Sequence, residues 1–86
     1  MIIFYLENCP HCKRARAWIE ELYNQNEDYR SIPLEWVEES QEAARANLYD
    51  YYYVPCLFDG NIKLHEGAAS LEIIQNIFDE YLRRNK

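Results

Sequence analysis

The chain opens on an unbroken apolar run, "MIIFYL", followed at once by the polar stretch "ENCPHCKRA". A short, continuous apolar run of this kind reads as a strand buried on both faces. Beyond it the apolar positions change period. Ala15, Trp18, Ile19, Leu22 and Tyr23 recur at helical spacing and predict a helix from Pro10 to Tyr23. Proline suits the first helical position, where its missing N–H would have no partner anyway, and this places Asn8 or Cys9 near the N-cap. "NQNEDYRS" predicts a polar connection, and "IPLEWVE" a second strand whose start is marked by Pro33. Ser40 is expected to cap a short helix, "QEAARANL", after which "YDYYYVP" leads into a third strand, "CLFD". "DGN" predicts a hairpin turn with Gly60 in the permissive position, and "IKLH" the fourth strand. Gly67 breaks the chain, and Ser70 is placed to cap a last helix with apolar Leu71, Ile74, Ile77, Phe78, Tyr81 and Leu82. Arg83, Arg84 and Lys86 fall at its end, where the helix dipole favours cations.

The element order is therefore β-α-β-α-β-β-α. Helical crossovers between the first three strands imply parallel pairing, and the last two strands form an antiparallel hairpin. The expectation is an α/β fold: a four-stranded mixed sheet with helices on both faces. With 86 residues the chain allows a single domain, 1–86. A core of that size implies stability on the order of 5–10 kcal/mol.

Charge narrows the partners. The formal net charge is −6 and the basic residues are scattered, which argues against nucleic acid and anionic membrane surfaces and disfavours acidic substrates. No apolar run is long enough to cross a bilayer, and the N-terminal run lacks the basic leader of a signal peptide. Three cysteines make an odd count, which speaks against a structural disulfide framework. A cytoplasmic, reducing setting is expected, in which a close cysteine pair is catalytic, redox-sensing or metal-binding.

Cys9 and Cys12 are that pair. A cysteine at a helix N-terminus faces unpaired N–H groups and the positive end of the dipole, and both favour the thiolate, the nucleophile of disulfide exchange. Cys9 takes that position, His11 beside it can add positive charge, and Cys12 follows one turn along on the same side, less exposed. Cys9 is then expected to attack and Cys12 to resolve the mixed disulfide. A metal site is a competing reading: Cys9, His11 and Cys12 form an incomplete zinc set, with only Cys56 and His65 left to complete it.

A strand, then Cys-Pro-x-Cys opening a helix, then Val-Pro before a later strand, resembles the thioredoxin fold. The short N-terminus and the "CPHC" form (Cys9, Pro10, His11, Cys12) look most like glutaredoxins, with Val54, Pro55 and Gly67 as further matches. The resemblance covers essentially the whole chain. It implies a small thiol–disulfide oxidoreductase with catalytic Cys9 and Cys12. It also implies a cis Pro55 that orients substrate, a Val54 backbone open to strand-like pairing, and substrate contacts from Pro10, His11, Gly67 and Ser70. No prosthetic cofactor is implied. Glutathione is a candidate co-substrate, the partners are disulfide-bearing proteins or small thiols, and electrons come from a glutathione system or thioredoxin reductase. Two places depart from glutathione users: Glu7 and Asn8 stand where a lysine usually precedes the first cysteine, and Ala68, Ala69 and Ser70 replace the acidic pair after the glycine. A metal or iron–sulfur carrier, and a non-catalytic binding module of the same fold, remain as alternatives. Tyr52 and Tyr53 either wall the substrate groove or simply pack with wet hydroxyls, while Cys56 reads as a small buried hydrophobe or a third reactive thiol. His65 reads as a solvated strand residue.

Overall fold

The structure is a computed structural model that describes residues 1–85; Lys86, expected at the end of the last helix, lies outside the described residues. Four strands, β1 (Ile2–Tyr5), β2 (Glu35–Glu38), β3 (Cys56–Asp59) and β4 (Ile62–Glu66), form one open sheet in the order β2-β1-β3-β4. The helices are α1 (Pro10–Gln25), α2 (Glu27–Arg30), α3 (Ala43–Ala46) and α4 (Leu71–Arg84).

The central place of β1 explains its unbroken apolar sequence. Side chains alternate across a strand, and both faces of β1 are covered. Ile3 and Leu57 point to the side where Ala15, Ile19 and Leu22 of α1 meet Tyr29, Ile74 and Phe78. Phe4, Val37, Cys56 and Phe58 point to the other side, against Ala46 of α3 and the partly buried Tyr49, Tyr51 and Val54. Tyr51 stacks on Phe4 with ring centroids 5.0 Å apart and donates its hydroxyl to Glu39 Oε2 at 2.8 Å. The spacing of Cys12, Ala15, Ile19 and Leu22 turns one stripe of α1 inward, and Cys12 is the end of that stripe nearest the loop from β1.

Three expectations are corrected. First, β1 pairs in parallel with β2, Ile2 opposite Glu35 and Tyr5 opposite Glu38, but antiparallel with β3, Phe4 opposite Cys56. The connection from β2 to β3 holds only a one-turn helix, so it leaves and re-enters the sheet at the same end instead of crossing to the other. Second, "NQNEDYRS" is not simply a polar connection. Asn26 ends α1 and its Oδ1 accepts from the Asp28 N–H at 2.9 Å, which starts α2 and buries Tyr29 against Phe78. Third, Ser40 does not cap the following helix: its hydroxyl and amide both bind the Glu38 carboxylate, and α3 begins at Ala43 with no side-chain cap.

The hairpin expectation matches: Asp59 pairs Ile62 across Gly60, whose φ is +60°. One extra residue, Leu64, bulges β4 where Leu57 pairs His65 and Phe58 pairs Lys63. Ser70 caps α4, accepting from the Ile73 N–H at 3.1 Å. Among the described residues no helix is long and apolar enough to cross a membrane.

Candidate functional site

The C-terminal ends of β1 and β2 and the start of β3 lie at one end of the sheet, and Cys9, Ser40 and Val54 arrive there from three separate loops. The first loop is a tight turn in which the Cys9 N–H donates to the Leu6 carbonyl at 3.1 Å. Cys9 then has extended dihedrals, φ −84° and ψ 117°, and is the N-cap of α1, with Pro10 in the first turn. Its sulfur accepts the Cys12 N–H at 3.3 Å, satisfying one of the orphan amides of the helix start.

The two thiols are unequal. Cys9 is partly exposed, whereas Cys12 is 3% exposed. Burial pushes the Cys12 thiol up to about 12, and its hydrogen bond with Cys9 adds to the effect. Cys12 therefore rests as a protonated thiol against the sulfur of its neighbour. A negative charge on Cys9 opposes ionisation of Cys12.

Opposite the sulfur stands the second loop. Val54–Pro55 is a cis peptide, and the Cys9 thiol donates to the Val54 carbonyl at 3.8 Å. The Val54 N–H has no protein acceptor among the described residues. Pro55 is fully buried and its carbonyl accepts the Gly67 N–H at 2.8 Å. Gly67, at φ +91°, thus belongs to the site by clasping the proline loop, a conformation that side-chain-bearing residues rarely adopt. The preceding residues are pinned as well: Glu66 accepts the amides of both Tyr52 and Tyr53, and Lys63 Nζ donates to it at 2.8 Å. The lysine ammonium and the two amides hold the Glu66 carboxyl at about 2.

Other expected site residues sit apart. His11 is exposed and turned along α1, its Nδ1 accepting from the Arg14 guanidinium at 2.6 Å instead of facing Cys9. Pro10 is exposed beside the cysteine. The Ser70 oxygen is occupied by the α4 cap and makes no hydrogen bond to Cys9, Cys12 or Pro55 among the described residues. Cys56 is wholly buried in the second core, with its thiol pushed up to about 12 by burial. His65 Nε2 donates to the Ala68 carbonyl at 2.9 Å, tying β4 to the segment before α4. Among the described residues no three His, Cys, Asp or Glu side chains gather in a metal-holding arrangement.

Two residues at the site were not read from the sequence. Glu38 shares a cleft of about 360 Å³ with Leu6, Glu7, Asn8, Cys9 and Ser40. A usable signal existed, because parallel pairing carries the last residue of β2 level with the end of β1. Glu66 had none: its bonds to Tyr52 and Tyr53 span thirteen to fourteen residues of chain and depend on the hairpin. Neither a family model, a curated protein nor a solved structure matches this chain.

Proposed function

We propose that the protein is a glutaredoxin-like thiol–disulfide oxidoreductase built on a thioredoxin-like fold. The observation that carries the proposal is the pairing of an accessible Cys9 sulfur, seated on the Cys12 amide at a helix start, with a buried Cys12 thiol directly behind it. Helix-start amides stabilise a thiolate, and only the thiolate attacks a disulfide.

In the first exchange the Cys9 thiolate attacks one sulfur of R–S–S–R′. The Cys9–S–S–R bond forms, the S–S′ bond breaks, and R′S⁻ leaves and takes a proton from solvent. Formation of the mixed disulfide removes the negative charge that opposed ionisation of Cys12. Cys12 then loses its proton and attacks the Cys9 sulfur, closing the Cys9–Cys12 disulfide and releasing RS⁻. In sum the protein gives two electrons and two protons, and the substrate becomes two thiols. The Val54 N–H, which has no protein acceptor among the described residues, offers an extended substrate one strand-like hydrogen bond.

The test is a single turnover of pre-reduced protein with excess hydroxyethyl disulfide, followed by mass spectrometry. Wild type is expected to lose two hydrogens as the Cys9–Cys12 disulfide forms, Cys12→Ser to stop at the mixed disulfide, and Cys9→Ser to remain unmodified. A Cys9→Ser variant as reactive as wild type would overturn the proposal.

A further inference from the structure

The two sides of Cys9 differ in kind. On one side Tyr52 is 85% and Tyr53 70% exposed, yet the backbone beneath both rings is fixed by Glu66. The next residue is Val54, whose carbonyl meets the Cys9 sulfur. Large aromatic side chains held in water on an anchored backbone give up little conformational freedom when covered, which is how polypeptide-binding surfaces gain affinity.

On the other side is the cleft of about 360 Å³ whose charged walls are Glu7 and Glu38. Ser40, through its hydroxyl and amide, holds the Glu38 carboxyl below the usual carboxylate range, so it is charged at neutral pH. Neither Glu7 nor Glu38 has an ion-pair partner among the described residues. Of the nearby cations, Arg14 serves His11 and Arg16 lies 4.1 Å above the Trp36 ring. Lys13 and Arg16 line an adjoining cleft that reaches Cys12 and shares Leu6 and Glu7 with this one, but neither forms an ion pair with Glu7.

We infer that the substrate of this site is a polypeptide disulfide with lysine or arginine next to its reacting cysteine. Its chain covers Tyr52 and Tyr53 on one flank, and its cationic side chains enter the Glu7–Glu38 cleft on the other. A substrate thiol bearing carboxylates, glutathione included, meets like charge there. This inference rests on the reading of Cys9 as the nucleophile.

Stopped-flow reaction of pre-reduced protein with three disulfides tests it: a lysine-flanked peptide, a glutamate-flanked peptide of equal length, and neutral hydroxyethyl disulfide. At low ionic strength the lysine peptide is expected to react at least about tenfold faster than the glutamate peptide. The gap should close in roughly 0.5 M salt, where charges beyond a few ångströms are screened. Glu7→Gln should shrink the ratio, and the double change Tyr52→Ala with Tyr53→Ala should slow both peptides more than hydroxyethyl disulfide. Equal peptide rates, or a ratio untouched by Glu7→Gln, with hydroxyethyl disulfide still reduced through Cys9, would overturn the substrate class and leave the exchange chemistry standing. Absence of Cys9-dependent reduction of all three would overturn both.

Discussion

The Cys9 sulfur lies 3.8 Å from the carbonyl oxygen of Val54, a residue 45 positions later in the chain. The contact joins the start of α1 to the proline loop before β3, and it depends on the sheet. Phe4 and Cys56 are paired across β1 and β3, so the segments just beyond them must meet at the same end. The partly exposed Cys9 is thereby given a fixed backbone wall.

Selective alkylation should report the inequality of the three thiols. Cys12 and Cys56 are 3% and 0% exposed, and burial pushes both thiols up to about 12. At pH 7–8 both are protonated and covered, so iodoacetamide is expected to give one adduct, on Cys9, in the folded protein and three after unfolding in urea. Peptide mapping identifies the site. A first adduct on Cys12 or Cys56 would contradict the arrangement.

The Glu66 clamp should have a pH signature. Its carboxyl, ordinarily at 4.5, is held at about 2 by the Lys63 ammonium and the Tyr52 and Tyr53 amides. Above 4.5 the group is charged in both folded and unfolded chains, and its stabilisation is complete. As pH falls from 4.5 to about 2 the unfolded chain takes up the proton first, and that stabilisation is lost. Wild type should therefore exceed Glu66→Gln in stability by a constant margin near neutrality, and the margin should shrink through this window. Urea unfolding at a series of pH values measures it. A margin independent of pH would show that the carboxylate charge is not what fixes the loop.

The sequence carried the parts of this architecture that depend on local chemistry. Pro10 and Ser70 mark helix starts, Gly60 marks a turn, and the period of Ala15, Trp18, Ile19, Leu22 and Tyr23 marks an inward stripe, of which Ala15, Ile19 and Leu22 are buried. It was misleading where a residue's partner is nearby but unexpected. Ser40 has the composition of a cap, yet the Glu38 carboxylate two residues earlier takes both its hydroxyl and its amide. The direction of β3 is not legible from the pattern, because a short helical segment there suggests a crossover, whereas one turn of α3 is too short to span the sheet. At the site, the cysteine pair and the cis proline were legible as a motif. The orientation of His11 toward Arg14, and the role of Glu66, follow only from the assembled fold.

Phe78 should be among the most sensitive core positions. It is fully buried where α4 meets α1 and α2, with Tyr29 and Tyr23 rings 5.7 and 6.1 Å from its own. Phe78→Ala removes most of that contact and leaves a cavity, at an expected cost of about 3–5 kcal/mol. In a chain of 86 residues that is a large share of the total. The denaturation midpoint should fall steeply or the variant should fail to fold. A loss below about 1 kcal/mol would mean that this core is not packed as described.

Ser70 separates two roles that the sequence left joined. As a cap, its oxygen accepts the Ile73 N–H at 3.1 Å, and Ser70→Ala should destabilise the protein by about 1 kcal/mol. As a substrate-binding group, its removal should instead slow disulfide exchange in a protein of unchanged stability. The structure favours the first role, because the hydroxyl makes no hydrogen bond to the cysteines or to Pro55 among the described residues. Ser70→Asp keeps an acceptor and adds negative charge at the positive end of the α4 dipole, so it should restore the stability that alanine loses. Urea midpoints for the three proteins, set beside their rates with hydroxyethyl disulfide, decide the matter. Stability that follows the cap, with rates that do not, assigns Ser70 to the helix; rates that fall in Ser70→Ala while the midpoint holds would return it to the site.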